Sequence, residues 1–402
     1  MKAARYVHLV ALLLLLAAPA RAADDARPAT GLPTAQPAEL GMEAAPLAQI
    51  APRMQAFVDQ GEIAGAVCLV ARQGRVVSLE AVGQADLEAK RPMRPDTLFC
   101  IASMTKPITA TALMTLVDEG KLSIVEPVSR YLPEFKETAV AGGKAVPITL
   151  KHLLTHTSGL SGSQQNQGSL EETARALAKQ PLAFEPGTKW QYSPGLSVIG
   201  RVVEVVSGQS FEQFLQDRIF GPLAMVDTTF HPTAEQQSRL ARLYQRGAQD
   251  KSLEPTTHWL VDVSPEASPN PSGGLFSTAP DMVRFYQMIL NGGQLDGRRI
   301  VSAASVRQMT TLQTDDLTTG FTDGNGWGLG WCIVRQPQGV TRMLSPGTFG
   351  HGGAFGTQGW VDPERKMIFV FMTQRIGLPN SDASPMRDAL QDLATQAVVD
   401  KQ

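Results

Sequence analysis

The sequence predicts an α/β (α+β) fold in which one antiparallel sheet is built from both ends of the chain and flanked by helices, with a mainly helical lobe over about residues 140–310. Two apolar runs near the start, Gly65 to Ala71 and Arg75 to Val82, are joined at Gln73-Gly74 and read as a hairpin. Short strand-like runs return near the end, at Trp327 to Val334, Gly359 to Val361 and Met367 to Thr373. Between these two regions apolar residues recur three and four apart. Strands at both ends with helices between them bring the termini into one sheet, and the cleft between sheet and lobe is the natural place for a site.

In chain order, Met1-Lys2-Ala3-Ala4-Arg5 is a positive n-region, Leu9 to Ala18 an apolar h-region and Ala20-Arg21-Ala22 a small-x-small cleavage site. Residues 1–22 therefore read as a secretory signal peptide, an uncleaved anchor being the competing reading. The apolar run is too short to span a bilayer, so the expected address is periplasmic or secreted, with no stable membrane anchor after cleavage. Residues 23–44 read as a flexible lead-in and residues 45–402 as the folded domain, whose 43% hydrophobic content supports an extensive core. Losing Lys2, Arg5 and Arg21 leaves 33 basic against 38 acidic residues, about −5, which gives no case for nucleic acid as a partner.

Leu47, Ile50, Met54, Phe57 and Val58 mark an amphipathic helix ahead of the hairpin. Leu113, Leu116 and Val117 carry a second helix from about Ser103 to Glu119, stopped at Gly120. Pro127 and Pro133 forbid a long element over Leu122 to Phe135. Thr149 caps a short helix through Leu154, and Ser161 to Ser169 is a Gly/Ser/Gln loop. Val198, Ile199, Val202, Val203 and Val206 form a stripe ending at Ser207-Gly208, and Phe211 to Ile219 forms another. Gly247 to Pro271 reads as a long polar loop, Thr278 starts a helix carrying Val283, Phe285 and Ile289, and Met386 to Val399 closes the chain as a helix.

Ser103 and Lys106 are where chemistry first enters. A serine at a helix start has unpaired N–H groups around it and lies in the positive field of the macrodipole. Lys106 stands one turn further along the same face, and if desolvation keeps it neutral it can take the Ser103 proton and leave a nucleophile. The plainer reading of this S-x-x-K is a helix cap and a surface lysine. Tyr192 lies in a loop before a helix, where a phenol beside a cation titrates lower and can share a proton with Ser103 and Lys106; the plainer reading is an aromatic that packs the loop. At Gly350-His351-Gly352-Gly353-Ala354 the glycines permit close backbone approach, so that the N–H groups of Ala354 and Ser103 could form an oxyanion hole. A Gly-rich bend is the alternative.

Other chemistries find little support. Cys68, Cys100 and Cys332 are too few for a disulfide scaffold and read as packing groups, one disulfide staying open. His152 and His156 are four apart, but no H-E-x-x-H glutamate or third ligand accompanies them, so no metal is expected. No phosphate-cradling or dinucleotide glycine pattern occurs, so no cofactor is expected either, and the G-x-S-x-G elbow is absent.

Ser103-x-x-Lys106, then Tyr192-Ser193, then His351-Gly352-Gly353, in this order, resemble the serine β-lactamase and penicillin-binding-protein superfamily. The branch is that of class C β-lactamases, D,D-peptidases and family VIII carboxylesterases. Leu153 to Gly159, Pro186-Gly187, Gly353 to Thr357 and Gly359 to Pro363 support the likeness, which runs over about residues 45 to 400. The resemblance implies a β-lactamase/transpeptidase-like fold and a serine hydrolase domain. In it Ser103 is acylated, Lys106 and Tyr192 handle the proton with the base left open, and Ser103 and Ala354 form the oxyanion hole. His351, Gly352 and Gly353 would bind substrate.

Two departures set the expected chemistry. Pro194 stands where the family's Tyr-x-Asn motif places an amide, and His351 stands where its Lys-Thr-Gly motif places a fixed positive charge. Both favour ester over amide. The expectation is a secreted carboxylesterase acting on small acyl esters or β-lactam-like molecules. A β-lactamase, D,D-peptidase or acyltransferase on the same residues is the alternative, and a non-catalytic penicillin- or peptidoglycan-binding protein is the alternative of another class.

Overall fold

The computed structural model describes residues 31–247 and 252–399, so residues 1–22, expected to be a signal peptide, lie outside the described residues. An eight-stranded antiparallel sheet forms the centre. Its strands are β1 (Gly65–Arg72), β2 (Arg75–Asp86), β3 (Arg91–Pro92), β4 (Asn325–Trp327), β5 (Cys332–Val334), β6 (Phe349–Gly352), β7 (Gln358–Asp362) and β8 (Met367–Met372), in the spatial order β4-β5-β6-β7-β8-β1-β2-β3. The two ends of the chain meet at β1 and β8, where Val67 faces Met372 and Val70 faces Phe369. The mixed architecture expected from the sequence is the one observed.

Strand alternation sorts side chains into two cores. Val67, Leu69 and Ala71 of β1 and Ile368, Val370 and Met372 of β8 belong to the core shared with the helical lobe. Ala66, Cys68 and Val70, with Met367, Phe369 and Phe371, belong to the core on the opposite face. Burial on both faces explains why these strands read as unbroken apolar runs. Helices α1 (Ile50–Asp59) and α7 (Pro385–Gln396) cover the second face, and α6 (Ala279–Leu290) covers the first.

The remaining labelled helices lie in and beside the lobe: α2 (Thr105–Asp118), α3 (Leu150–Leu154), α4 (Leu170–Ala178) and α5 (Gly195–Ser207). Thr149 caps α3 by accepting from His152 N, and Thr278 caps α6 by accepting from Asp281 N. Every residue of α2 from Thr105 to Leu116 is buried, and Lys106 is the one ionisable side chain among them. A helix apolar all round belongs in the middle of a protein. This one lies between the sheet and α5.

Three expectations need correction. Residues 31–44, expected to be flexible, run along the sheet, with Ala35 N donating to Val76 O at 2.9 Å and Arg72 Nη1 donating to Leu40 O at 2.6 Å. Leu40 and Met42 supply the missing apolar anchors, both being 2% exposed. The Trp327 to Val334 run is two strands, because Gly328-Leu329-Gly330 dips inward to bury Leu329 and Gly330 N donates to Leu154 O. Within the expected long loop, Leu253–Pro255 pairs with Tyr244–Arg246.

Close packing of α6 on the sheet depends on a missing side chain. A Cβ on Gly359 would come within 2.0 Å of Tyr286 Oη, and that buried hydroxyl has no hydrogen-bond partner among the described residues. Tyr286→Phe is expected to raise the urea unfolding free energy by about 1 kcal/mol, because it removes an orphaned polar group. Gly359→Ala is expected to lower it by about 1–3 kcal/mol by overpacking, and by less in the Tyr286→Phe background.

Candidate active site

The turn before α2 sets the geometry. Phe99–Cys100 pairs with Phe276–Ser277, Ile101 N donates to Leu275 O, and a single 3-10 turn, Ala102–Met104, then carries Ser103 into α2. Ala102 sits at φ +45°, the left-handed region that costs a non-glycine residue of order 1–3 kcal/mol. The strain leaves Ser103 half-buried at the helix tip, facing a cleft of about 430 Å³.

The end of β6 closes on this turn. A Cβ on Gly353 would lie 2.1 Å from Thr357 Oγ1 and 2.6 Å from Ile101 O, so only glycine allows the approach. Thr357 Oγ1 donates to Ile101 O at 3.2 Å and fixes the contact. The next residue, Ala354, is exposed on the cleft, and its N–H makes no hydrogen bond to the protein among the described residues. An N–H held free beside a serine is the raw material of an oxyanion hole.

Lys106 is fully buried, and loss of water holds its amine well below the usual lysine range. Its Nζ lies 2.6 Å from Ser272 O, 2.9 Å from Gln164 Oε1 and 3.2 Å from Ser103 Oγ. The first two oxygens can only accept. A neutral amine has two N–H groups to give them, which leaves its lone pair for the partner that carries a hydrogen, the Ser103 hydroxyl. Desolvation and hydrogen bonding thus aim one basic electron pair at one hydroxyl.

Gln164 was not legible as a site residue, since it lies in the Ser161 to Ser169 stretch that reads as a plain loop. Asn270 holds that loop by donating Nδ2 to Gln164 O at 2.7 Å while its Oδ1 accepts from Ser272 N at 2.8 Å. One asparagine therefore positions both acceptors of Lys106.

Tyr192 comes to the same point, its ring centre 4.5 Å from Lys106 Nζ. The sequence led us to expect a phenol titrating lower beside a cation. Burial instead pushes it up, with only a contact to Ser103 acting in the opposite direction. The physical reason is that loss of water disfavours the charged phenolate. His156 supports the Tyr192 segment. Its Nδ1 accepts from Ser193 N at 3.2 Å, its carbonyl accepts from Gln191 N at 2.9 Å, and its ring lies 4.5 Å from that of Tyr192. His152 serves elsewhere, accepting from Thr149 N at the α3 cap.

His351 is buried beside these rings, and its Nδ1 lies 2.6 Å from Gly352 O, an oxygen that can only accept. Burial pushes it down to about 3, so it carries no charge near neutral pH. The three cysteines are free and buried, and burial pushes the Cys100 thiol up to about 12, which suits packing and not nucleophilic attack.

The Lys106 environment makes a signed prediction. Gln164→Glu would put a carboxylate within hydrogen-bond reach of Nζ and favour the ammonium form. The acid limb of the kcat/KM profile for an activated ester is expected to move to higher pH by about 1–3 units, with reduced activity at pH 7. An unmoved limb would mean that Lys106 is not the group whose protonation stops the reaction.

Comparison with known proteins places these features in a family. The family model described as Beta-lactamase matches residues 50–393. Protein Rv1367c of Mycobacterium tuberculosis is 35% identical over 349 residues, covering 79% of this chain and 87% of that protein. Esterase EstB of Burkholderia gladioli is 32% identical over 385 residues, covering 85% of this chain and 95% of that protein. Among solved structures, EstCE1, described as a hydrolase with promiscuous acyltransferase activity, superposes with a TM-score of 0.76 at 27% identity, over 89% of this chain and 98% of its own. The chain belongs to the Beta-lactamase family and is a serine hydrolase of the β-lactamase and penicillin-binding-protein superfamily.

Proposed function

We propose that the protein is a carboxylesterase that forms an acyl-enzyme at Ser103. The observation that carries this reading is the buried Lys106 amine, whose Nζ lies 2.6 Å from Ser272 O, 2.9 Å from Gln164 Oε1 and 3.2 Å from Ser103 Oγ. In this mechanism Lys106 takes the Ser103 proton as Oγ attacks the ester carbonyl. The negative oxygen that forms is held by the N–H groups of Ser103 and Ala354. The bond to the leaving alcohol then breaks, and that alcohol takes a proton from the Lys106–Tyr192 pair. Water attacks the acyl-enzyme, gives its proton to the same pair, and Ser103 is restored.

Tyr192 is better suited to carrying a proton than to removing one, since burial keeps its phenol protonated. This assigns the base to Lys106. Ester preference follows from the same site: Pro194 offers no side-chain amide to a substrate amide, and neutral His351 offers no charge to a β-lactam carboxylate. The similarity to EstB, an esterase by name, supports the substrate class. Acyl transfer to an alcohol is the second reading, favoured by the similarity to EstCE1. We also place the mature chain outside the cytoplasm, on the layout of residues 1–22.

Ser103→Ala is expected to abolish hydrolysis of 4-nitrophenyl acetate, a loss of about 10³-fold or more, with the unfolding midpoint unchanged. Intact-mass analysis after fluorophosphonate treatment is expected to show one adduct on the wild-type chain and none on the variant. Nitrocefin is expected to turn over poorly; efficient nitrocefin hydrolysis would reverse the substrate ranking.

A further inference from the structure

The cleft in front of Ser103 has one acidic wall. Among the described residues no Lys or Arg lines it, and the one carboxyl group in its lining is that of Asp382. This carboxylate lies over the end of β6: a Cβ on Gly352 would come within 1.8 Å of Asp382 Oδ1, and Gln358 Nε2 donates to the same oxygen at 3.4 Å. Arg387 approaches Asp382 from within the core, where it donates to the main-chain oxygen at 2.5 Å and stacks 3.8 Å from the centre of the Trp360 ring. Its guanidinium is fully buried and does not line the cleft. Burial raises Asp382 above the ordinary aspartate range, with Arg387 acting to lower it.

Aromatic surface lines the same cleft. Phe321 is 47% exposed although its ring packs 5.1 Å from Tyr192 and 6.0 Å from Trp190. Asn380 ties this ring to the carboxylate: its Nδ2 donates to Phe321 O at 2.7 Å, and its Oδ1 accepts from Asp382 N at 3.0 Å. A carboxylate held beside the exposed Phe321 ring in a partly dry cleft attracts alkylammonium ions and repels carboxylates.

We propose that the cleft holds a cation subsite built from Asp382, Phe321 and Tyr192, and that the enzyme's esters carry an ammonium or quaternary ammonium group a few bonds from the scissile carbonyl. The ester part of this statement rests on Ser103 acting as proposed above. The subsite itself does not.

The test pairs acetylcholine with its uncharged carbon isostere, 3,3-dimethylbutyl acetate, and compares kcat/KM. The wild-type chain is expected to favour the cation by about tenfold at low salt. Asp382→Asn and Phe321→Ala are each expected to bring the ratio toward one, with Phe321→Ala serving as the informative variant if Asp382→Asn fails to fold. Tetramethylammonium, titrated by calorimetry, gives a readout free of turnover, and its binding is expected to weaken several-fold in Asp382→Asn. Equal rates for the two esters in the wild type, or a preference that survives both substitutions, overturns the subsite. Binding of tetramethylammonium without hydrolysis of any ester supports the subsite and refutes the hydrolase reading. Hydrolysis of 4-nitrophenyl acetate without cation binding does the reverse.

Discussion

The site depends on an amine kept out of water. A lysine placed in a helix that is buried on every side must lose its charge or find an ion partner, and Lys106 finds carbonyl oxygens instead. Two such oxygens and one hydroxyl leave the neutral form one way to arrange its hydrogens and its lone pair. The helical lobe, through Pro271, Ser272 and Gln164, holds this arrangement in place: Thr109 Oγ1 donates to Pro271 O at 2.7 Å, and Asn270 fixes the two acceptors. Fold and chemistry are joined at this point, because the burial that stabilises α2 also favours the uncharged amine, whose lone pair is free for its neighbour.

The two departures from the family motifs have physical consequences that the structure makes concrete. Where Pro194 removes an amide, Gln164 from another loop puts one against Lys106, so the amine keeps an acceptor while the second motif loses its donor. Where His351 replaces a lysine, desolvation removes the charge, and the adjoining surface is aromatic and acidic. These changes alter what the cleft attracts without disturbing the Ser103, Lys106 and Tyr192 cluster.

Much of this was legible in the sequence because it is written in short-range patterns. The Ser103–Lys106 spacing, the glycines around His351 and the strand pairing of the two chain ends all follow from local rules about helix turns, backbone freedom and alternation. Tyr192 and Ala354 could be named as candidates, since each lies beside a loop or glycine signal. Gln164, Asp382 and Phe321 could not, because they lie in loops whose composition says nothing of what they face. The direction of the Tyr192 titration is hidden for a related reason: sequence spacing shows that a lysine is near but not that the phenol itself is buried. Residues 31–44 misled through composition, Pro and Ala masking the anchors Leu40 and Met42.

The meeting of β1 with β8 also governs when the enzyme comes into being. The strand that begins the fold finds its partner about three hundred residues later, and the Gly353–Ala354 bend that completes the site arrives with the same late segment. A growing polypeptide therefore carries its serine and its lysine long before it has a sheet to support them or a pocket to hold a negative oxygen. A product truncated ahead of the final strands lacks both β8 and the Gly353–Ala354 bend.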